Sequence, residues 1–203
     1  MTTYSGTASQ GASTYYTSTA LVKTYLGIAG AGDDTLLLSL IARAHAAIDR
    51  HCGRVFQAST NTIRYYDPTR DVVGRTLYLD YDCASINTVT NGDSSVIAST
   101  SYVTEPRNAA PYWAITLLGT SGVQWTWATN PENAIAISAK WAYSASAPDD
   151  IVQAATRYAA WLYKQKDAGV YETTASPELG IITVPMAVPR DVLALLAPYK
   201  RMR

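Results

Sequence analysis

Apolar positions recur along this chain with two different periods, and the switch between them outlines its architecture. Leu21, Val22, Tyr25 and Leu26 share one side of a helix predicted over residues 19–26, with Ser18 or Thr19 as its cap. The run Gly27-Ile28-Ala29-Gly30-Ala31-Gly32 breaks it. Asp33 is placed to cap a second helix, with Asp34 in its first turn. Leu37, Ile41, Ala44, Ile48 and Cys52 then recur at helical spacing until Gly53 supplies the stop.

From residue 61 to 144 the period falls to two. Thr62–Tyr66 and Arg75–Asp80 alternate, and Asn91-Gly92 between Ile86–Val89 and Val96–Ile97 is a hairpin signal. Tyr112–Leu117 and Gly122–Trp127 are further candidate strands. The clearest strand is Asn133–Tyr143: Ile135, Ile137, Ala139, Trp141 and Tyr143 face one way, and Ala134, Ala136, Ser138, Lys140 and Ala142 the other. Helical spacing returns after Pro148 and Asp149-Asp150, with Ile151, Ala155, Tyr158 and Leu162 as the stripe of a helix to about Lys166. Residues 168–187 read as a loop, too long to be an idle connection. Pro189 opens a last helix carrying Val192, Leu193, Leu195 and Leu196.

Segregated runs of helix and strand indicate an α+β fold rather than a parallel α/β one. The expected organisation is a small bundle of about four helices, from residues 19–60 and 146–203, with residues 61–145 inserted as an antiparallel β-sheet domain. Residues 1–18 are uncharged and rich in Ser, Thr, Gly and Ala. They are expected to be a flexible arm that orders against a neighbour, with Tyr4, Tyr15 and Tyr16 as anchors.

Composition narrows the functional classes. Hydrophobic residues make up 48%, enough for a packed core, and only 16% are charged. Sixteen basic residues balance sixteen acidic ones, which argues against non-specific binding to nucleic acid or to an anionic membrane. Low charge also leaves little repulsion between copies. No export signal is evident, and the charge-free stretch Asn108–Pro131 is broken by proline and glycine. The expectation is a soluble chain made in a cytoplasm, with no membrane partner. Two cysteines, Cys52 and Cys83, cannot form a disulfide scaffold, and whether they are merely buried thiols stays open at this level.

Candidate chemistry is thin. The Gly27–Gly32 run matches neither nucleotide-binding spacing, and Asp33 and Asp34 would repel a phosphate there. His45 and His51 are six residues apart on one helix and do not share a face, so no metal site is expected. A hydrolase using His45 or His51 stays open only because triad members meet in space rather than in sequence. Asp67, Asp71, Asp80 and Asp82 read as turn and strand-end residues with Arg64, Arg70 or Arg75 as partners, rather than as a calcium or acid–base site. No cofactor is expected. Fifteen Tyr and five Trp against one Phe fit either a wet aromatic sheet core or an interface. Aromatic strands also leave room for a carbohydrate-binding or surface-attachment module without catalysis.

Several segments are more informative together. Ala44-His45-Ala46-Ala47-Ile48-Asp49-Arg50-His51-Cys52-Gly53-Arg54-Val55-Phe56 resembles a signature of phage head–tail connector proteins, the adaptors that complete the head beneath the portal. Leu21-Val22-Lys23-Thr24-Tyr25-Leu26-Gly27 with Asp33-Asp34-Thr35-Leu36-Leu37 resembles that family's opening. Lys140-Trp141-Ala142-Tyr143-Ser144 with Pro148-Asp149-Asp150-Ile151 resembles the strand-to-helix junction of its longer members, and Pro189–Arg201 its C-terminal helix and basic end. Short members are nearly all-helical, so the β insert is where this chain departs.

The resemblance implies a structural virion protein at the neck, not an enzyme. Such adaptors assemble into a ring, expected to have twelve subunits, on the portal protein. They extend the DNA channel, through which DNA passes without tight binding, and dock a downstream neck, stopper or tail protein. Portal docking is assigned to Leu195, Leu196, Pro198, Tyr199, Lys200, Arg201 and Arg203, and the subunit interface to Tyr15, Tyr16, Tyr171, Ile181, Ile182 and Val184. Residues 1–199 carry 13 basic and 16 acidic residues, so the three cations at positions 200, 201 and 203 restore neutrality. This basic end is expected to act as a tether to an acidic portal surface, removable by deleting residues 198–203 without harm to the fold.

Overall fold

Ser18 Oγ accepts the Leu21 N–H at 3.2 Å and so starts helix α1, Thr19–Leu26. The computed structural model in which this is seen describes residues 14–168, 173–176, 180–183 and 188–201. Gly27 ends α1 at φ +70°, a left-handed conformation that glycine adopts without a Cβ clash. Helix α2, Asp34–Cys52, buries every residue of its predicted stripe, with Leu37, Ile41, Ala44, Ile48 and Cys52 at 1% exposure or less. Helix α3 spans Asp149–Ala168.

The chain forms two compact units. The first comprises Met1–Ile48 and Val152–Leu195. Its core joins Val22, Leu37, Ile41 and Ala44 to Ala159 and Ala160 of α3. The expected α3 stripe is seen, with Ile151 and Ala155 buried and Tyr158 and Leu162 half-buried against this core, while Ala159 and Ala160 take its enclosed positions. A methyl group at the contact lets helices approach more closely than a ring would. Polar links reinforce this packing: Lys23 Nζ meets Asp34 Oδ1 at 2.8 Å, and Thr17 and Thr156 share a buried hydroxyl contact at 2.7 Å. The Asp33 carboxylate, expected as the α2 cap, accepts the Tyr163 hydroxyl at 2.5 Å.

The second unit comprises Asp49–Ile151 and Leu196–Arg203. Its eight strands are β1 Thr62–Tyr66, β2 Val72–Val73, β3 Thr76–Cys83, β4 Ser85–Thr90, β5 Val96–Ile97, β6 Tyr102–Glu105, β7 Tyr112–Leu117 and β8 Ile135–Lys140. They make two four-stranded antiparallel sheets, ordered β1-β8-β4-β5 and β2-β3-β7-β6. β8 is central, with Ile135 opposite Tyr66 on one side and Ile137 opposite Val89 on the other. Its alternation is as predicted over Ile135–Lys140, with Ile135, Ile137 and Ala139 fully buried, but the strand stops short of the expected Tyr143 and Ala142 is buried as well. Ile135, Ile137 and Ala139 share one core with Leu77, Ile115 and Leu117 of the other sheet, the packing of a β-sandwich.

Two local expectations are overturned and a third is refined. Gly122–Trp127 is not a strand. A 3-10 turn at Gly119–Ser121 ends in Gly122 at φ +69°. The Arg75 guanidinium then donates to the carbonyls of Leu117, Leu118 and Val123, and Trp125 Nε1 donates to Arg75 O at 3.0 Å. These bonds hold the segment on a path without a two-residue repeat.

Asn91-Gly92 does lie between paired strands, β4 and β5, but the loop runs to Ser95 and Ser94 is its left-handed residue, at φ +68°. Gly92 is needed for a different reason: a Cβ there would fall 2.4 Å from Thr126 O. Asn91 is 3% exposed, and its amide bonds Gln124 O, Thr126 Oγ1 and the Thr126 N–H.

The expected loop at 168–187 contains two strands, β9 Thr173–Ser176 and β10 Gly180–Thr183, paired antiparallel. Helix α4, Arg190–Leu196, follows and continues into a 3-10 turn, Ala197–Tyr199. The fold is α+β, as expected.

Candidate assembly surfaces

The run from Cys52 to Phe56 ends α2 and fastens several segments of the second unit. Gly53 takes φ +66° and returns its N–H to Asp49 O at 2.8 Å, the usual way a helix is stopped. The Cys52 carbonyl, left over at the helix end, accepts the Arg201 N–H at 2.9 Å. Arg54 Nε lies 3.4 Å from Asp82 Oδ2, with the two side chains 16% and 10% exposed, and its guanidinium sits 5.2 Å from the Tyr143 ring centroid. Phe56 is fully buried, its centroid 5.8 Å from Tyr143 and 5.7 Å from Tyr199. Tyr143 and Tyr199 meet edge-on at 5.6 Å. The Tyr143 N–H donates to Val55 O, and the Tyr199 hydroxyl to Asp150 Oδ2 at 3.1 Å. Helix end, strand-to-helix junction and C-terminal turn thus converge on one aromatic cluster. These are also the segments that carry the sequence resemblance.

The sequence profile of head completion proteins (HCP) matches residues 16–202. The chain belongs to the head completion protein family. Among curated proteins, none matches its sequence. Solved structures share the fold. A chain in the neck of an empty gene transfer agent (GTA) particle, computed with C6 symmetry, superposes with a TM-score of 0.55 at 20% identity, covering 91% of this chain and 89% of that one. A chain in the neck of the native GTA particle, computed with C12 symmetry, gives 0.55 at 19% identity over 91% and 88%. A chain of the native GTA virion gives 0.51 at 19% over 91% and 89%. The connector resemblance read from the sequence is therefore borne out at the level of family.

In this head completion fold the residues assigned to portal docking divide into two sets. Leu196 is 2% exposed, Tyr199 belongs to the aromatic cluster, and Arg201 is fastened at both its N–H and its guanidinium, the latter donating to Asp80 O at 3.2 Å. These three hold the chain end to its own unit. Pro198 and Lys200 are exposed and Leu195 is half-buried. Arg203 lies outside the described residues. The end is therefore not a free tether up to residue 201, and deleting 198–203 removes Tyr199 from the cluster.

The residues assigned to the subunit interface divide as well. Tyr16 is 3% exposed, its ring 4.1 Å from that of His45, while Tyr15 is half-buried with its ring 5.6 Å from His45. Tyr16 therefore packs within its own unit. Ile181 and Ile182 lie in β10. Tyr171 and Val184 fall outside the described residues, as does Tyr4.

The remaining candidate chemistry is occupied by structural work. Asp67 Oδ1 accepts the Thr69 N–H and hydroxyl, both at 2.7 Å, and these bonds hold its carboxyl below the usual carboxylate range. Asp71 accepts the Asp67 N–H, and Asp80 accepts Arg64 Nη1 and the Tyr66 hydroxyl, each at 2.7 Å. Burial, then the bond to Asp80, pushes the Tyr66 hydroxyl far above the ordinary phenol value. Asp67, Asp71 and Asp80 share one concavity of about 340 Å³ with Glu132 and Arg70. Arg54, absent from the expected partners, is the one that pairs with Asp82. Sequence distance concealed it, because 28 positions separate the two. Among the described residues no group of three His, Cys, Asp or Glu could hold a metal. Burial pushes the Cys52 thiol up to about 11 and the Cys83 thiol up to about 12, so both stay protonated at neutral pH. The aromatics divide: Tyr66 and Trp141 are core, whereas Tyr78 and Trp113 stack at 5.9 Å with roughly half of each exposed.

Proposed function

We propose that this chain is a structural subunit of the neck of a phage or phage-like particle, closing the head as one of twelve copies in a ring on the portal. Family membership over residues 16–202 carries the reading. The fold shared with neck chains of particles computed with C6 and C12 symmetry supports the ring. DNA passes along the axis, and a body that is net acidic up to residue 199 favours sliding over holding. The chain works by shape and contact rather than by catalysis.

The portal is met by the exposed residues Pro198 and Lys200, together with Leu195 and Arg203. Leu196, Tyr199 and Arg201 hold the chain end that presents Pro198 and Lys200. Tyr15, Tyr171, Ile181, Ile182 and Val184 serve the contact between copies, and a downstream neck or tail protein docks on the opposite side of the ring. Electron microscopy of the protein mixed with its portal tests the reading: one added ring beneath the portal is expected, and monomers without portal affinity would refute it. Lys200→Glu probes the docking end without touching the aromatic cluster. Portal affinity should fall about tenfold or more, with no change in thermal midpoint, and unaltered affinity would remove Lys200 from the contact.

A further inference from the structure

A ring requires that copies meet, and the hairpin β9–β10 shows which backbone groups can do so. Thr173 lies opposite Thr183 and Ser176 opposite Gly180, and among the described residues no third strand joins the pair. A two-stranded hairpin is marginally stable alone in water. Both its outer edges present backbone N–H and C=O groups to any strand that can pair with them. Natural sheet edges are guarded by charge, proline or shortness, and the sandwich in this chain uses all three. Edge strands β2 and β5 are two residues long, β6 runs into Glu105-Pro106, and β1 carries Arg64. Within the hairpin strands themselves, Thr-Thr-Ala-Ser and Gly-Ile-Ile-Thr, charge and proline are absent, although Glu172 and Pro177-Glu178 flank β9.

The two edges are matched, four residues each, and lie on opposite sides of the hairpin. A contact of one edge with the other is heterologous, and repeated about an axis it closes a ring. We propose that β10 of one copy pairs antiparallel with β9 of the next, so that the hairpins join into a continuous β belt around the ring. This rests on the ring reading above and names its contact. Two strands from each of twelve copies make 24. At a spacing of ~4.8 Å such a belt has a circumference of ~115 Å and a backbone diameter of roughly 37 Å, and strand tilt widens it further. With about 5 Å of side chain on the inner wall, the lumen still admits a DNA duplex.

Hydrogen exchange on the unmodified chain, as monomer and in the portal-bound ring, tests the belt directly. Amides of 173–176 and 180–183 should slow about tenfold or more on ring formation, and unchanged exchange in an intact ring overturns the proposal. A second variant replaces residues 173–183 with a Gly/Ser linker of equal length, its folding checked by circular dichroism and urea midpoint. It should stay folded and fail to close a ring. If it still makes a ring of the same copy number, the belt is wrong while the neck reading stands. If the unmodified chain makes no ring with the portal, both fall.

Discussion

Removing Phe56 tests whether the C-terminal turn belongs to the body of the fold or hangs from it. Phe56 has no exposed surface and touches the rings of Tyr143 and Tyr199. Phe56→Ala deletes a buried ring and leaves a cavity, which costs about 3–5 kcal/mol. For a chain of this size that corresponds to a fall in Tm of roughly 6–20 °C. Tyr199→Ala removes two edge-to-face contacts, each worth about 0.5–1.5 kcal/mol, together with partial burial of its own ring. A loss of about 2 kcal/mol is expected, since the bond to Asp150 is exposed and adds little. The rings share a contact, so the effects must couple. The double variant should lose about 0.5–1.5 kcal/mol less than the sum of the singles. Urea unfolding of the four proteins, followed by tryptophan fluorescence and circular dichroism, measures this. Strict additivity, or a Tyr199→Ala protein as stable as its parent, would show that the turn is not part of the folded body.

Other consequences can be checked with similar assays. Gly92→Ala must push Thr126 O or Ala134 aside and should cost about 1–3 kcal/mol, whereas Gly119→Ala, which meets nothing within 4 Å, should leave the thermal midpoint unchanged. Arg54→Ala strands the mostly buried Asp82 charge and should lose about 3–5 kcal/mol; the double variant Arg54→Met, Asp82→Leu should recover most of it, and a single-variant loss below about 1 kcal/mol would contradict the pairing. Native Cys52 and Cys83 should resist thiol reagents at pH 8 and both react in denaturant, with labelling of the native chain at the denatured rate as the adverse result. Both thiols hold their protons more tightly folded than unfolded. Their contribution to stability is therefore intact below about pH 9 and is lost as pH rises through about 11 and about 12, which pH-dependent urea midpoints can follow against Cys→Ala variants.

The α2 stripe and the alternation of β8 were legible because each is written in residues a few positions apart. Periods of 3.6 and 2 need no knowledge of the partner, only that one side is buried. The Gly53 stop was legible for the same reason. The family signature could be recognised as a string, but its physical content could not. That Cys52 O meets Arg201, that Arg54 meets Asp82 and that Phe56 meets Tyr199 are contacts between residues 28 to 149 positions apart. Four-residue strands such as β9 and β10 are shorter than any window in which a period shows, and β2 is shorter still.

What the sequence by itself determined was the class of the fold, the helices, the central strand and the family, all through local repetition and local chemistry. Tertiary structure decided what the special residues are for. Asn91-Gly92 signalled a hairpin, which is there, but Gly92 is glycine because Thr126 O passes where its Cβ would be. Arg75 pointed to a carboxylate partner and instead satisfies three carbonyls of a segment more than forty positions away. The basic end suggested a tether, and Tyr199 and Arg201 turned out to anchor it. In each case a polar or backbone group meets a partner from a distant segment that the packed core holds against it, and no local pattern encodes that distance.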